Sequence, residues 1–256
     1  MKKENRDLFE KGKQGALQLL FSRFGIILIL LFIFAFLYQM ISSNNIQANI
    51  SSLIHKENTK STASSGNLDS TENNVKKIAI TFDDGPHPKY TEKLLEGLKD
   101  RNVKATFFII GENAALYPDI VKKISEDGHL IGNHTYSHVN LSCISIDNAI
   151  LEITKTNDLI KQYTGITPKY IRPPYGLYSN SLKKETNLTP ILWTIDPRDW
   201  SVLNTDSVVK HVLKRAKDGD IILLHDIFDT SVEAAFKIID ELKSKGYEFV
   251  TVDEFY

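Results

Sequence analysis

Residues 77–86 read KIAITFDDGP. A short apolar run without polar alternation leads straight into two adjacent carboxylates, Asp83 and Asp84, and Gly85-Pro86 then ends it. Runs that are apolar on both faces suit strands of a parallel sheet covered by helices. Working outward, similar runs recur at 105–110 (ATFFII), 129–133 (HLIGN), 170–172 (YIR), 191–195 (ILWTI), 220–225 (DIILLH) and 248–252 (EFVTV). Amphipathic segments at 91–101, 113–127, 146–163, 207–217 and 232–245 fall between most of them. Strand alternates with helix, which places residues 76–256 in the α/β class as one domain of about seven units. Periodicity leaves a barrel and an open wound sheet equally open. In both, reactive side chains gather at the carboxyl ends of strands and in the loops that follow.

Asp83 and Asp84 stand at such an end. Two neighbouring carboxylates on a buried strand repel each other and lose hydration, so they need a cation, a shared proton or a strong donor. A divalent metal with imidazole co-ligands would meet that need, and zinc accepts mixed carboxylate and histidine sets while keeping a position open for water. His134-Thr-Tyr-Ser-His138 follows the HLIGN run and offers two imidazoles. Arg172-Pro-Pro-Tyr175-Gly ends another run and offers a cation for a carboxylate. Leu223-Leu-His225-Asp226 ends a third, and Asp196-Pro-Arg-Asp199-Trp200 adds a second acidic cluster. Each piece alone has an ordinary reading. Asp-Asp-Gly-Pro is turn chemistry, a His pair four apart recurs by chance, and a lone strand-end histidine is commonly a satisfied structural residue. Their convergence on several strand ends favours a site.

The amino end is of another kind. Residues 24–41, FGIILILLFIFAFLYQMI, carry no charge and as a helix would span roughly 27 Å, close to a bilayer core. Lys2, Lys3, Arg6, Lys11, Lys13 and Arg23 precede this run, and the next basic residue is Lys56. The positive-inside rule therefore predicts a cytoplasmic segment over 1–23, a transmembrane anchor over 24–41 and an extracytoplasmic remainder. Ile46-Gln47-Ala48 is a poor cleavage site, so the anchor is expected to stay in place. Residues 42–75, rich in Ser, Asn and Thr, read as a flexible linker averaging roughly 30 Å end to end. One cysteine, Cys143, excludes an internal disulfide, and a net charge of −1 argues against a nucleic-acid binder.

Taken in order, TFDDGP, HTYSH, RPPYG, DPRDW and LLH resemble the motif set of the polysaccharide deacetylases of carbohydrate esterase family 4, the NodB-homology domain. The resemblance covers roughly 76–256 and leaves anchor and linker outside. It implies a distorted (β/α) barrel and metal-dependent hydrolysis of N-acetyl groups on a sugar polymer. It makes Asp83 the general base, Asp84, His134 and His138 the ligands of one divalent metal, and His225 the general acid. Arg172 would orient Asp83, the Tyr175 N–H would face the developing oxyanion, and Asp199 would keep His225 protonated. Leu223 would line the acetyl pocket and Trp200 would wall it, with a buried core tryptophan as the plainer reading of Trp200. Zinc suits the ligand set, as do cobalt and manganese. The expected polymer is cell-wall glycan, the N-acetylglucosamine of peptidoglycan. Chitin-like oligosaccharides, exported poly-N-acetylglucosamine and acetylated xylan are the family's other substrates. A non-catalytic wall-glycan binder should have lost a ligand or the base, and a metal phosphoesterase commonly recruits two metals and more ligands. His55, His129 and His211 lack companions at ligand spacing, and His87, which follows the Asp-Asp motif, is expected to shape its loop.

Overall fold

A computed structural model of the protein describes residues 75–256. The expected cytoplasmic segment, the anchor and nearly all of the linker lie outside the described residues. Among the described residues no helix is long and apolar enough to cross a membrane.

Seven strands form one sheet: β1 (Lys76–Asp83), β2 (Thr106–Ile109), β3 (Leu130–Asn133), β4 (Tyr170–Ile171), β5 (Thr189–Pro190), β6 (Asp220–His225) and β7 (Tyr247–Val250). All pairings are parallel, in the order β5-β4-β3-β2-β1-β6. β7 pairs with Lys76–Ala79, the beginning of β1, while β2 pairs with Thr81–Asp83 at its end. Among the described residues eight α-helices connect the strands: α1 (Tyr90–Asp100), α2 (Gly111–Leu116), α3 (Pro118–Glu126), α4 (Ile146–Thr164), α5 (Asn180–Thr186), α6 (Asp199–Val202), α7 (Thr205–Arg215) and α8 (Asp229–Ser244).

The ring closes beyond β5. The 191–195 run was expected as a strand, but it makes only an isolated bridge, Ile195 to Ile222. Its backbone still links β4 to β6, through Ile191 N–H to Ile171 O (2.8 Å) and Leu223 N–H to Ile195 O (2.9 Å). The ladder is interrupted because the Arg172 guanidinium takes the Ile191 and Leu192 carbonyls, each at 3.1 Å. The result is a closed but distorted barrel.

Side-chain parity sorts β1 between two environments. Ile78, Ile80 and Phe82 point outward into the main core, with Ile222 and Leu224 of β6, Leu94, Leu95 and Leu98 of α1, and Ile238 and Ile239 of α8. Burying each such side chain contributes about 1.5–3 kcal/mol. Ala79 belongs to a separate cluster with Phe108, Ile191 and Ile221. By the same parity Thr81 and Asp83 lie on the inner face.

Helix boundaries follow local chemistry. The helix expected over 113–127 is two helices, because Pro118 lacks an N–H and opens α3 after Tyr117 leaves helical geometry at φ −129°, ψ 59°. α7 starts before the expected 207 because the Asn204 side chain accepts from Ser207 N–H and caps it. α4 is capped by Ser145 and ends at Gly165, whose φ of 75° suits glycine.

Candidate metal and hydrolytic site

Asp83 and His225 are register partners on neighbouring strands, on the inner face at the carboxyl ends of β1 and β6. Arg172, just past β4, is fully buried beside them. Its Nη1 donates to Asp83 Oδ1 at 2.8 Å and to Thr81 Oγ1 at 2.6 Å, and its guanidinium lies 4.2 Å from the Phe108 ring centre. Burial lowers the Arg172 pKa from its usual value, although the Asp83 charge and hydrogen bond oppose that fall. Thr81 passes the arrangement on by donating to Ile222 O at 2.7 Å. Asp83 is thus held by a cation that is itself held on several sides.

Asp84 leaves the strand at φ 73°, which turns its side chain away from that of Asp83. Gly85 makes the exit possible: a Cβ there would overlap the Asp226 carboxylate. Asn113 donates to Asp84 O at 2.7 Å and fixes the backbone at the turn. Across from Asp84, His134 follows β3 and gives its Nδ1–H to Arg172 O at 2.6 Å, which orients the ring with Nε2 facing Asp84. Positive φ angles at Thr135 (64°) and His138 (55°) fold the loop back, so the two rings stand 5.0 Å apart. Burial lowers the His138 pKa, which keeps that ring neutral as a ligand must be.

One ligand atom from each of Asp84, His134 and His138 lies within 4.8 Å of the others. Asp84 Oδ1 is 3.3 Å from His134 Nε2 and 3.4 Å from His138 Nε2, and it is buried without a hydrogen-bond partner. An orphaned buried carboxylate oxygen is costly unless a cation meets it. Tetrahedral bonds of ~2.1 Å would space ligand atoms roughly 3.4 Å apart. The residues therefore fit a divalent ion, with Asp83 Oδ2 beside them at 3.8 Å from His134 Nε2.

On the opposite side, His225 Nδ1 is 2.8 Å from Asp199 Oδ1, and Asp199 Oδ2 accepts the His225 backbone N–H at 2.8 Å. Burial works to lower the His225 pKa, but the Asp199 hydrogen bond and charge, with Asp83 and Asp84 behind them, push it up to about 9. The ring is cationic at neutral pH. Asp199 itself is buried at the start of α6, and the Asp196 side chain shapes the preceding turn by accepting from Arg198 N–H at 2.7 Å.

The remaining expected residues divide. Leu223 is buried two residues before His225 on the same strand face. Trp200 is half exposed and so is no core residue. Tyr175 is exposed, in left-handed backbone at φ 62°, with its ring 5.3 Å from that of His138. Its N–H has no acceptor among the described residues. Positive φ at Asp84, Thr135, His138, Tyr175 and Arg198 concentrates backbone strain around the site, of order 1–3 kcal/mol each.

His87 shapes its loop, its Nδ1 accepting from Lys89 and Tyr90 N–H. His129 is buried away from the site, accepts from Ala105 N–H, and is pushed down to about 4 by burial. Three residues with no signal in their spacing join the setting. Asn133 accepts from Thr135 N–H, and Glu152 accepts from the loop between the two histidines. Thr91 donates to Asp226, whose burial raises its carboxyl to about 7.

The model of the polysaccharide deacetylase family matches residues 70–191. A peptidoglycan N-acetylglucosamine deacetylase of Bacillus cereus is 44% identical over 190 residues, covering 72% of this chain and 69% of that protein. A peptidoglycan N-acetylmuramic acid deacetylase of Bacillus subtilis, PdaC, is 40% identical over 181 residues, covering 71% of this chain but only 39% of that longer protein. The solved structure of that Bacillus subtilis enzyme superposes with a TM-score of 0.70 at 39% identity, over 72% of this chain and 91% of the solved one.

Proposed function

The chain belongs to the polysaccharide deacetylase family, and from that premise we propose that it removes N-acetyl groups from peptidoglycan, with N-acetylglucosamine as the sugar acted on. It is a metal-dependent hydrolase of a polysaccharide. The observation that carries the hydrolytic reading is the pairing in register of Asp83 with a cationic His225, beside three residues spaced for a metal, and the choice of polymer and sugar rests on the relatives named for peptidoglycan N-acetylglucosamine. Asp84, His134 and His138 hold the ion, and zinc is the reading their mixed carboxylate and imidazole donors favour. Bound there, the ion supplies Lewis-acid charge to a carbonyl oxygen and acidifies a water.

The protein's own residues carry the rest. Asp83, oriented by Arg172, takes a proton from the attacking water as its oxygen bonds to the acetyl carbon. The Tyr175 N–H donates to the oxygen on which negative charge develops. His225 gives its proton to the sugar nitrogen as the C–N bond breaks, leaving acetate and a free amine. Amine is a poor leaving group, so a histidine held protonated well above neutral pH is the acid this step needs. Leu223 and Trp200 bound the space for the acetyl methyl.

The anchor expected over 24–41 would tether the enzyme outside the membrane, within reach of wall glycan. A second reading of the sugar rests on the Bacillus subtilis relative, named for N-acetylmuramic acid. Acetate release by the purified full chain, metal-stripped and resupplied with zinc, cobalt or manganese, tests both. Peptidoglycan is expected to yield acetate, and mass spectrometry of muramidase fragments to find the free amine on glucosamine. Activity on chitin oligomers or xylan alone would overturn the peptidoglycan reading, and amines confined to muramic acid would overturn the sugar.

A further inference from the structure

The two histidines of the metal triad are held in different ways. The His134 ring is oriented by a hydrogen bond to Arg172 O. Among the described residues the His138 ring has no such bond, so its place depends on the loop that carries it. That loop, 135–137, is gripped from both sides. The N–H groups of Gly111 and Glu112, at the start of α2, donate to Thr135 O and Tyr136 O, both at 2.9 Å. On the other side a single oxygen, Glu152 Oε2 of α4, accepts from Tyr136 N–H (3.1 Å), Ser137 N–H (2.8 Å) and Ser137 Oγ (3.0 Å). Lys155, one helical turn on, lies over the Tyr136 ring at 4.9 Å.

We infer that Glu152 is the positioning residue for His138, setting the affinity of the metal site from outside it. The inference rests on the triad holding a divalent ion. Three donors converging on one carboxylate oxygen make a charge-assisted clamp, roughly twice as strong per bond as a neutral one. The clamp matters because His138 itself is in left-handed backbone at φ 55°, a conformation that its surroundings must enforce. Without the carboxylate, Tyr136 and Ser137 N–H turn to water, the loop relaxes, and His138 Nε2 leaves its 3.4 Å spacing from Asp84 Oδ1. α4 is anchored separately, since Asn133 Nδ2 donates to Ile153 O and to Asn157 Oδ1, both at 2.8 Å. Losing the Glu152 contacts should therefore disturb the loop and leave the helix in place.

The test is zinc affinity of the full chain, by competition with a chromophoric chelator, for wild type, Glu152→Ala, Glu152→Gln and the exposed α4 control Asp158→Ala. Outer-shell partners of metal ligands typically contribute ten- to hundredfold in affinity. Glu152→Ala is expected to bind zinc roughly ten- to hundredfold more weakly. Glu152→Gln keeps an acceptor oxygen without the charge and should fall between, and Asp158→Ala should match wild type. The metal-free variants should all keep the wild-type far-UV circular dichroism, and activity of Glu152→Ala should return when zinc is raised. Zinc affinities of both Glu152 variants within about twofold of wild type would overturn the inference, and Glu152→Gln alone decides it if Glu152→Ala does not fold. A wild-type chain that binds no divalent ion would overturn the site reading beneath it instead.

Discussion

Asp199→Asn isolates the group that keeps His225 protonated. Burial pulls the His225 pKa down, the Asp199 hydrogen bond and charge are the largest effects raising it, and the net value is about 9. With the charge removed, burial remains and the other carboxylates near the ring, Asp83 and Asp84 foremost, oppose it, so the histidine falls toward its ordinary value of 6.5. At pH 7.5 a group titrating at about 9 is roughly 97% protonated, and one at ~6.5 only about 9%. Loss of protonated acid alone thus costs about tenfold at pH 7.5. The assay is kcat/KM for acetate release across pH 5.5–10 with metal saturating. The alkaline limb of Asp199→Asn should lie well below that of wild type, and the variant should recover relative to wild type as the pH is lowered. A loss of ring orientation would lower the whole curve without moving that limb. An alkaline limb at the wild-type position in Asp199→Asn would refute the assignment.

The same pair sets a stability profile in the metal-free protein. The folded pKa of His225 lies above its unfolded value, so the stabilisation is complete below pH ~6.5 and is lost as pH rises through about 9. Its size is at most roughly 3–4 kcal/mol, since each pKa step is worth ~1.4 kcal/mol. Urea midpoints of wild type should fall over that window, while Asp199→Asn should be flat there.

Further substitutions separate base, ligand and scaffold. Asp83→Asn should lower kcat by about 10²–10⁴ with metal content unchanged, as read by steady-state kinetics beside metal analysis, and full activity would reject Asp83 as the base. His134→Ala should weaken metal binding by more than about a hundredfold, and chelator competition would show an unchanged affinity if His134 were no ligand. Arg172→Met strands the buried Asp83 carboxylate and frees two carbonyls, which should destabilise by about 3–5 kcal/mol in urea unfolding. Gly85→Ala drives a methyl into the buried Asp226 carboxylate and should destabilise by about 1–3 kcal/mol, with an unchanged unfolding midpoint counting against the close approach.

Much of the scaffold was legible from 77–86 outward. Parallel strands buried on both faces leave a near-continuous apolar run, and six of the seven runs became strands or strand cores. ILWTI did not, because a side chain from residue 172 captured its carbonyls, and side-chain-to-backbone capture across 19 residues leaves no periodic trace. The helix over 113–127 was overextended, although Pro118 carried the needed signal. α5 and α6 are too short for amphipathic periodicity to register. In the site, residues whose chemistry is unusual for their place stood out: paired carboxylates, strand-end histidines, an arginine beside them. Glu152 and Asn133 did not, since a glutamate on a helix and an asparagine at a strand end look like solvated surface until the loop they hold is seen.

The adjacent aspartates show where sequence logic stops short of cause. From sequence, Asp83 and Asp84 are equivalent charges, separable only by the partners that resemblance assigns them. In the folded chain the backbone does the separating. Strand parity aims Asp83 inward beside Thr81, where the inner face already holds a fully buried guanidinium. One residue later the chain turns to φ 73°, a left-handed conformation that costs most side chains but that aspartate adopts more readily than most, and Asp84 faces the histidines instead. That turn is possible because position 85 has no Cβ and because Asn113 and the Asp226–Thr91 contact hold the loop around it. Arg172 then ties the halves together: its side chain orients Asp83, and its carbonyl orients His134. A base and a metal ligand set by one residue cannot drift independently, so perturbing Arg172 should disturb proton transfer and metal binding together, whereas perturbing Glu152 should disturb metal binding alone.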